Sequence, residues 1–109
     1  MNLILIPTPK FTQSVKKLIK KYRLILNDLE VLEKELVEKK EIGVDLGYNY
    51  FKVRVKNSSV PTGKSGGFRV IYFFKKENKI YLLDIYTKNE ISNISREKIL
   101  EMLKKNGLK

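Results

Sequence analysis

Midway along this chain the apolar residues change from a helical to a strand period, and that change limits its fold more than any other feature. Phe11, Val15, Leu18, Ile19 and Tyr22 recur at helical spacing, and so do Ile25, Leu29, Leu32 and Leu36. Each set lays one apolar stripe along a helix. From Tyr50 the spacing becomes two: Phe51, Val53 and Val55 point one way, and Lys52, Arg54 and Lys56 the other. Phe68 to Phe74 and Ile80 to Tyr86 follow as two more strands, rich in β-branched and aromatic residues. A run of helices followed by a run of strands argues for an α+β fold, with helices covering one face of a small, mostly antiparallel sheet.

Local signals set the element limits. Leu3 to Ile6 is an apolar run stopped by Pro7, which predicts a brief first strand. Thr8-Pro9 reads as an N-cap followed by Pro at the first helical position, opening a helix of about four turns. A second helix is expected from about Leu24 to Lys40, supported by the ordered pairs Glu30–Lys34 and Glu35–Lys39, and Gly43 closes this region. Asn57 to Gly67 is a polar loop, and Lys75 to Lys79 a turn. Ser95 caps a last helix that offers Ile99, Met102 and Leu103 as its apolar contact and stops at Gly107. The expected order is β-α-α-β-β-β-α in one domain over residues 1–109, with the two N-terminal helices on one sheet face. Lys52, Arg54 and Lys56 should emerge from the other, partly solvated face.

Charge narrows the partners. The 109 residues carry 23 Lys+Arg against 12 Asp+Glu, a formal net charge of +11, which points to a polyanion. The excess is uneven: residues 48–76 hold seven bases and no acid, so the strand region is the cationic one. There is no Cys, which excludes disulfides, thiolate nucleophiles and cysteine metal sites. There is no His either, which removes the usual general base and nearly all zinc chemistry. Neither a metal nor a small-molecule cofactor is expected, and any proton transfer falls to Lys, Arg, Tyr or carboxylates. The longest apolar run is five residues, Val70 to Phe74, against the ~20 of a membrane helix, and no signal-peptide pattern opens the chain. A cytoplasmic protein without a membrane partner is expected.

Three groups of residues are able to carry chemistry. Lys52, Arg54 and Lys56 would repel one another on an empty sheet, and a bound polyanion relieves that repulsion; the plainer alternative is a solvated face. Gly63-Lys64-Ser65-Gly66-Gly67-Phe68-Arg69 combines a loop that lets a ligand approach the backbone with two cations. Arg69 can grip a phosphate through two parallel hydrogen bonds; the plainer alternative is a flexible hairpin loop. The sequence Gly63-Lys64-Ser65 is not a phosphate-binding P-loop, because Ser58 stands where that motif needs Gly and a strand follows instead of a helix. Tyr86 and Lys88, at the end of the last strand, are suited to base stacking, proton transfer or phosphate contact. Otherwise they form a polar strand terminus.

Together, Tyr50-Phe51-Lys52-Val53-Arg54-Val55, GKSGGFRVIYFF, IYLLDIYTKNE and ISNIS resemble the RelE/ParE toxin superfamily, most of all its RelE/HigB-like branch. The resemblance runs from about Pro9 to Leu103. It implies the toxin of a type II toxin–antitoxin system, neutralised by a cognate antitoxin protein. It further implies a metal-independent endoribonuclease, an mRNA interferase that cuts mRNA on the ribosome in the A site, beside 16S rRNA, and so inhibits growth. Cleavage in that family activates a ribose 2′-hydroxyl against the adjacent phosphate. A lysine crowded by cations gives up its proton more readily, so Lys52 is the candidate base or the group that positions one. Arg54 stands where the family often has Lys and is assigned to phosphate binding, since Arg cannot act as a base. Arg69 matches the family's strand arginine and would stabilise the charge developing on the scissile phosphate. Tyr86 and Lys88 match the Y-KNE motif, and which group protonates the leaving oxygen stays open. Lys56, Lys64, Ser65, Gly66 and Gly67 are assigned to RNA binding. Some members of the superfamily poison DNA gyrase instead, so a ParE-like gyrase poison or an inactive basic binding module is the alternative.

Overall fold

The computed structural model describes residues 3–39, 42–61, 67–75, 78–88 and 95–108. The described elements are β1 (Ile4–Pro7), α1 (Pro9–Leu18), α2 (Ile25–Lys39), β2 (Val44–Gly47), β3 (Tyr50–Val55), β4 (Phe68–Lys75), β5 (Lys79–Thr87) and α3 (Arg96–Lys105). The strands form one sheet in the order β1-β5-β4-β3-β2. Every neighbouring pair is antiparallel except β1–β5, which is parallel. The expected α+β fold and element order are what the chain adopts, with one strand added. β2 pairs with β3 through a tight hairpin that local sequence did not announce.

α1 starts as its sequence dictates. The Thr8 side chain accepts a hydrogen bond from the Phe11 N–H, and Pro9 occupies the first turn, where no N–H is needed. The helix proper ends at Leu18, short of the four turns expected, but the Tyr22 N–H still bonds the Leu18 carbonyl. The apolar stripe therefore continues into Tyr22, which meets Phe68 edge-on with ring centroids 5.5 Å apart. α2 buries Ile25, Leu32 and Leu36. Both helices lie on the face that carries Phe51, Val53, Val55, Phe68 and Val70. Burial of each such side chain contributes roughly 1.5–3 kcal/mol.

The opposite sheet face is not all solvent. Ile99, Met102 and Leu103 of α3 pack on Tyr50, Ile71 and Leu83 there, forming a second core. α3 is capped at both ends. Ser95 accepts from the Lys98 N–H. At the other end Gly107 takes φ +67°, its N–H bonds the Lys104 carbonyl, and the Leu108 N–H bonds the Leu103 carbonyl. That pair of bonds is a Schellman motif, which a glycine completes without steric cost. Among the described residues no helix is long and apolar enough to cross a membrane.

Candidate nucleic-acid interface

Strand register brings the predicted cations together. Arg54 of β3 is opposite Arg69 of β4, and Arg69 is opposite Tyr86 of β5. Residues paired in this way project from the same face with Cα atoms about 4.5–5.5 Å apart. Val53, Val55, Phe68 and Val70 take the helix-covered face, so alternation sends Lys52, Arg54 and Arg69 to the face of α3. Lys52 is opposite Ile71, a member of the second core, and occupies the boundary between that core and the cationic corner.

Tyr86 reaches this face through an irregularity. Between Ile71↔Asp84 and Tyr72↔Leu82, β4 advances one residue while β5 advances two. This is a β-bulge, and it reverses the alternation beyond it. Ile80, Leu82 and Ile85 pack in the helix-covered core, whereas Leu83 and Tyr86 join the α3 core. In an unbulged strand residue 86 would share a face with Ile80 and Leu82. Asp84, at the bulge, turns its buried carboxylate toward α1, accepting from Ser14 Oγ at 2.7 Å and from the Ile85 N–H at 2.8 Å.

Exposure grades the row. Arg54 is exposed, Lys52 half-buried, and Arg69 only 7% exposed. The Arg69 guanidinium donates through Nη1 to the Gly67 carbonyl at 2.9 Å, which ties it to the start of its own strand. Arg keeps its charge and its donors keep a fixed fork, the geometry that matches a phosphate. The row thus runs from an exposed cation, Arg54, through the buried and tethered Arg69 to Tyr86, which is 3% exposed and whose hydroxyl is buried.

The same end of the sheet collects the remaining predicted residues that the structure describes. Val55, Phe68 and Thr87 form its last paired row. Lys56 and Lys88 each follow that row by one residue, and both are exposed. Gly67 precedes it, but its smallness has a packing cause: a Cβ there would lie 2.1 Å from the Val55 carbonyl oxygen. Lys64, Ser65 and Gly66 lie outside the described residues, as do Asn89 and Glu90 of the Y-KNE motif.

The loop after β3 is anchored by a contact that sequence reading did not foresee. Buried Asp28 of α2 accepts hydrogen bonds from the N–H and the hydroxyl of Ser58, and Ser59 Oγ accepts from the Leu24 N–H. The β2–β3 hairpin was also missed. It places Tyr48, Tyr50 and Arg96 side by side at the far end of the same face.

Fold and interface together define a small basic α+β domain with a cation-lined sheet face. The model of a family described as the RelE toxin of the RelE/RelB toxin–antitoxin system matches residues 11–107. The chain belongs to the RelE toxin family and is a toxin of a toxin–antitoxin system, a membership that implies an antitoxin partner. Among solved structures, a double arginine-to-alanine mutant of the E. coli toxin RelE in the free state is similar. It shares 17% identity at a TM-score of 0.59, over 96% of this chain and 98% of that one, a likeness of fold. A metal-bound toxin from Helicobacter pylori is 20% identical at a TM-score of 0.43, over 83% of this chain and 99% of that one.

Proposed function

We propose that the protein is an mRNA endoribonuclease that cuts messages in the ribosomal A site, in the cytoplasm, without a metal. The observation that carries this reading is the cross-strand row Arg54–Arg69–Tyr86 with Lys52 beside it. A passive polyanion binder needs positive charge spread over a surface. It does not need a guanidinium only 7% exposed between a second guanidinium and a phenol.

The reaction breaks one bond and forms one. A base accepts the proton of the ribose 2′-hydroxyl, the 2′-oxygen attacks the adjacent phosphorus, and the bond to the 5′-oxygen breaks. The products are a cyclic phosphate and a 5′-hydroxyl that has gained a proton. Lys52 takes or directs the first proton. Arg54 holds a phosphate oxygen, and Arg69 supports the extra negative charge of the crowded phosphorane, where fixed donors act most strongly. Tyr86 or Lys88 supplies the last proton. Lys56 and Lys64 hold the flanking strand.

Toeprinting of a translated message on purified ribosomes tests the reading. Discrete cuts at the A site in the presence of the protein support it. Intact message together with inhibited gyrase supercoiling would assign the chain to the gyrase poisons instead. Binding to RNA without cuts on ribosomes would make it a binding module.

A further inference from the structure

Tyr48 is a costly residue where it stands. Tyr48 and Asn49 are the two central residues of the β2–β3 hairpin, with φ +53° and +66°. Two successive positive φ values make a type I′ turn, which favours Asn and Gly. A bulky side chain in that region is an outlier and carries backbone strain. The ring does not offset this by burial, since Tyr48 is 66% exposed. It is nevertheless held in place. It stacks on the buried Tyr50 ring with an interplanar angle of 16° and centroids 6.5 Å apart. The Arg96 guanidinium, at the start of α3, lies over the same ring at 5.9 Å, and its Nη2 donates to the Leu46 carbonyl at 3.4 Å.

Position gives the ring its meaning. Tyr50, Lys52 and Arg54 follow one another along one face of β3, and Tyr48 extends that line beyond the strand's first residue. Tyr50 to Arg54 is four residues, or ~13 Å of strand. A polynucleotide with a phosphate on Arg54 and Arg69 that skirted the α3 core along this edge would reach a ring that is 66% exposed and already oriented. A flat ring beside a phosphate-binding track is the recurrent device for holding single-stranded nucleic acid.

We infer that Tyr48, held by Tyr50 and Arg96, is a stacking platform for an unpaired base of the RNA strand, a few nucleotides from the phosphate that Arg54 and Arg69 engage. The inference rests on the RNA-directed reading of the cationic row. It adds a contact that carries no charge, so its signature differs from that of the row.

The test is binding of a fluorescein-labelled single-stranded RNA decamer, measured by anisotropy over a salt series. Wild type, Tyr48→Phe, Tyr48→Ala and Arg54→Ala are compared, and the decamer is scanned with single abasic sites. Tyr48→Phe should bind as wild type does. Tyr48→Ala should bind about tenfold more weakly with an unchanged salt slope, while Arg54→Ala lowers that slope by about one. One abasic position should weaken wild type by the same factor and leave Tyr48→Ala unaffected. That non-additivity would not arise from a merely structural role in the hairpin. Equal affinity of Tyr48→Ala and wild type, with Arg54→Ala weakened, overturns the platform and leaves the cationic row standing. Additive losses at every abasic position also overturn it. So does a wild-type protein that fails to bind the decamer, whether or not ribosomes elicit cleavage.

Discussion

Tyr86 faces Arg69 across the β4–β5 pair, and a single additional residue in β5 puts it there. The bulge beside Leu83 costs one regular pairing and moves a phenol from the helix-covered core to the cationic face. Tyr86→Phe keeps the ring in the α3 core and removes only the hydroxyl. It should fold normally and cut message on ribosomes about a hundredfold more slowly, the scale of lost acid–base assistance. A single-turnover rate equal to that of wild type would leave proton delivery to Lys88.

Arg54 and Arg69 are like charges in directly opposed positions, an arrangement that destabilises a sheet. Arg54→Gln should therefore raise stability by a few tenths of a kcal/mol, or about 1–3 °C in melting temperature for a domain of this size. The same change should weaken RNA binding and reduce its salt dependence. A thermal melt and a salt titration check both halves. A lower melting temperature would mean that Arg54 is held by favourable contacts and not kept for its ligand.

Gly67 sits just before β4 against the end of β3, with the Val55 carbonyl oxygen 2.1 Å from the place a Cβ would take. Gly67→Ala forces backbone apart and should cost on the order of 2 kcal/mol, roughly 10 °C in melting temperature. A melt indistinguishable from that of wild type would return this glycine to the RNA-binding role that sequence alone suggested.

Asp28 fixes the segment after β3 through two hydrogen bonds from Ser58. Removing a buried carboxylate acceptor costs about 1.5–3 kcal/mol. Asp28→Ala should show that loss in urea denaturation, and Asp28→Asn a smaller one because the amide oxygen still accepts. Cleavage should fall in Asp28→Ala even well below its melting temperature, since the anchored segment carries Lys56 and leads to Lys64. Full activity in that variant would separate the anchor from the site.

Much of this was readable from spacing alone. The alternation of Phe51, Val53 and Val55 against Lys52 and Arg54 is a local pattern, and the two faces it predicts are the two faces found. Helix caps at Thr8 and Ser95 and the stop at Gly107 were equally local. What escaped was set by contacts distant in sequence. The spacing of Ile80 to Tyr86 does not mark a bulge, and the residue at it, Asp84, meets Ser14 of α1, a contact distant in sequence. β2 is four residues with an Asp and a Gly among them, too short and too weak in strand propensity to stand out. The second core depends on α3 returning to Tyr50 and Ile71, and it is what confines the cationic surface to one corner of the sheet.

Arg69 is where the account is most exposed, being central to the row, deeply set and assigned the largest share of transition-state stabilisation. The decisive measurement is the single-turnover cleavage of a message on programmed ribosomes by Arg69→Ala, with folding verified by circular dichroism and thermal melting. The expected result is a folded protein whose rate has fallen by at least a hundredfold and which no longer arrests growth. A folded Arg69→Ala protein that cuts at the wild-type rate would contradict it.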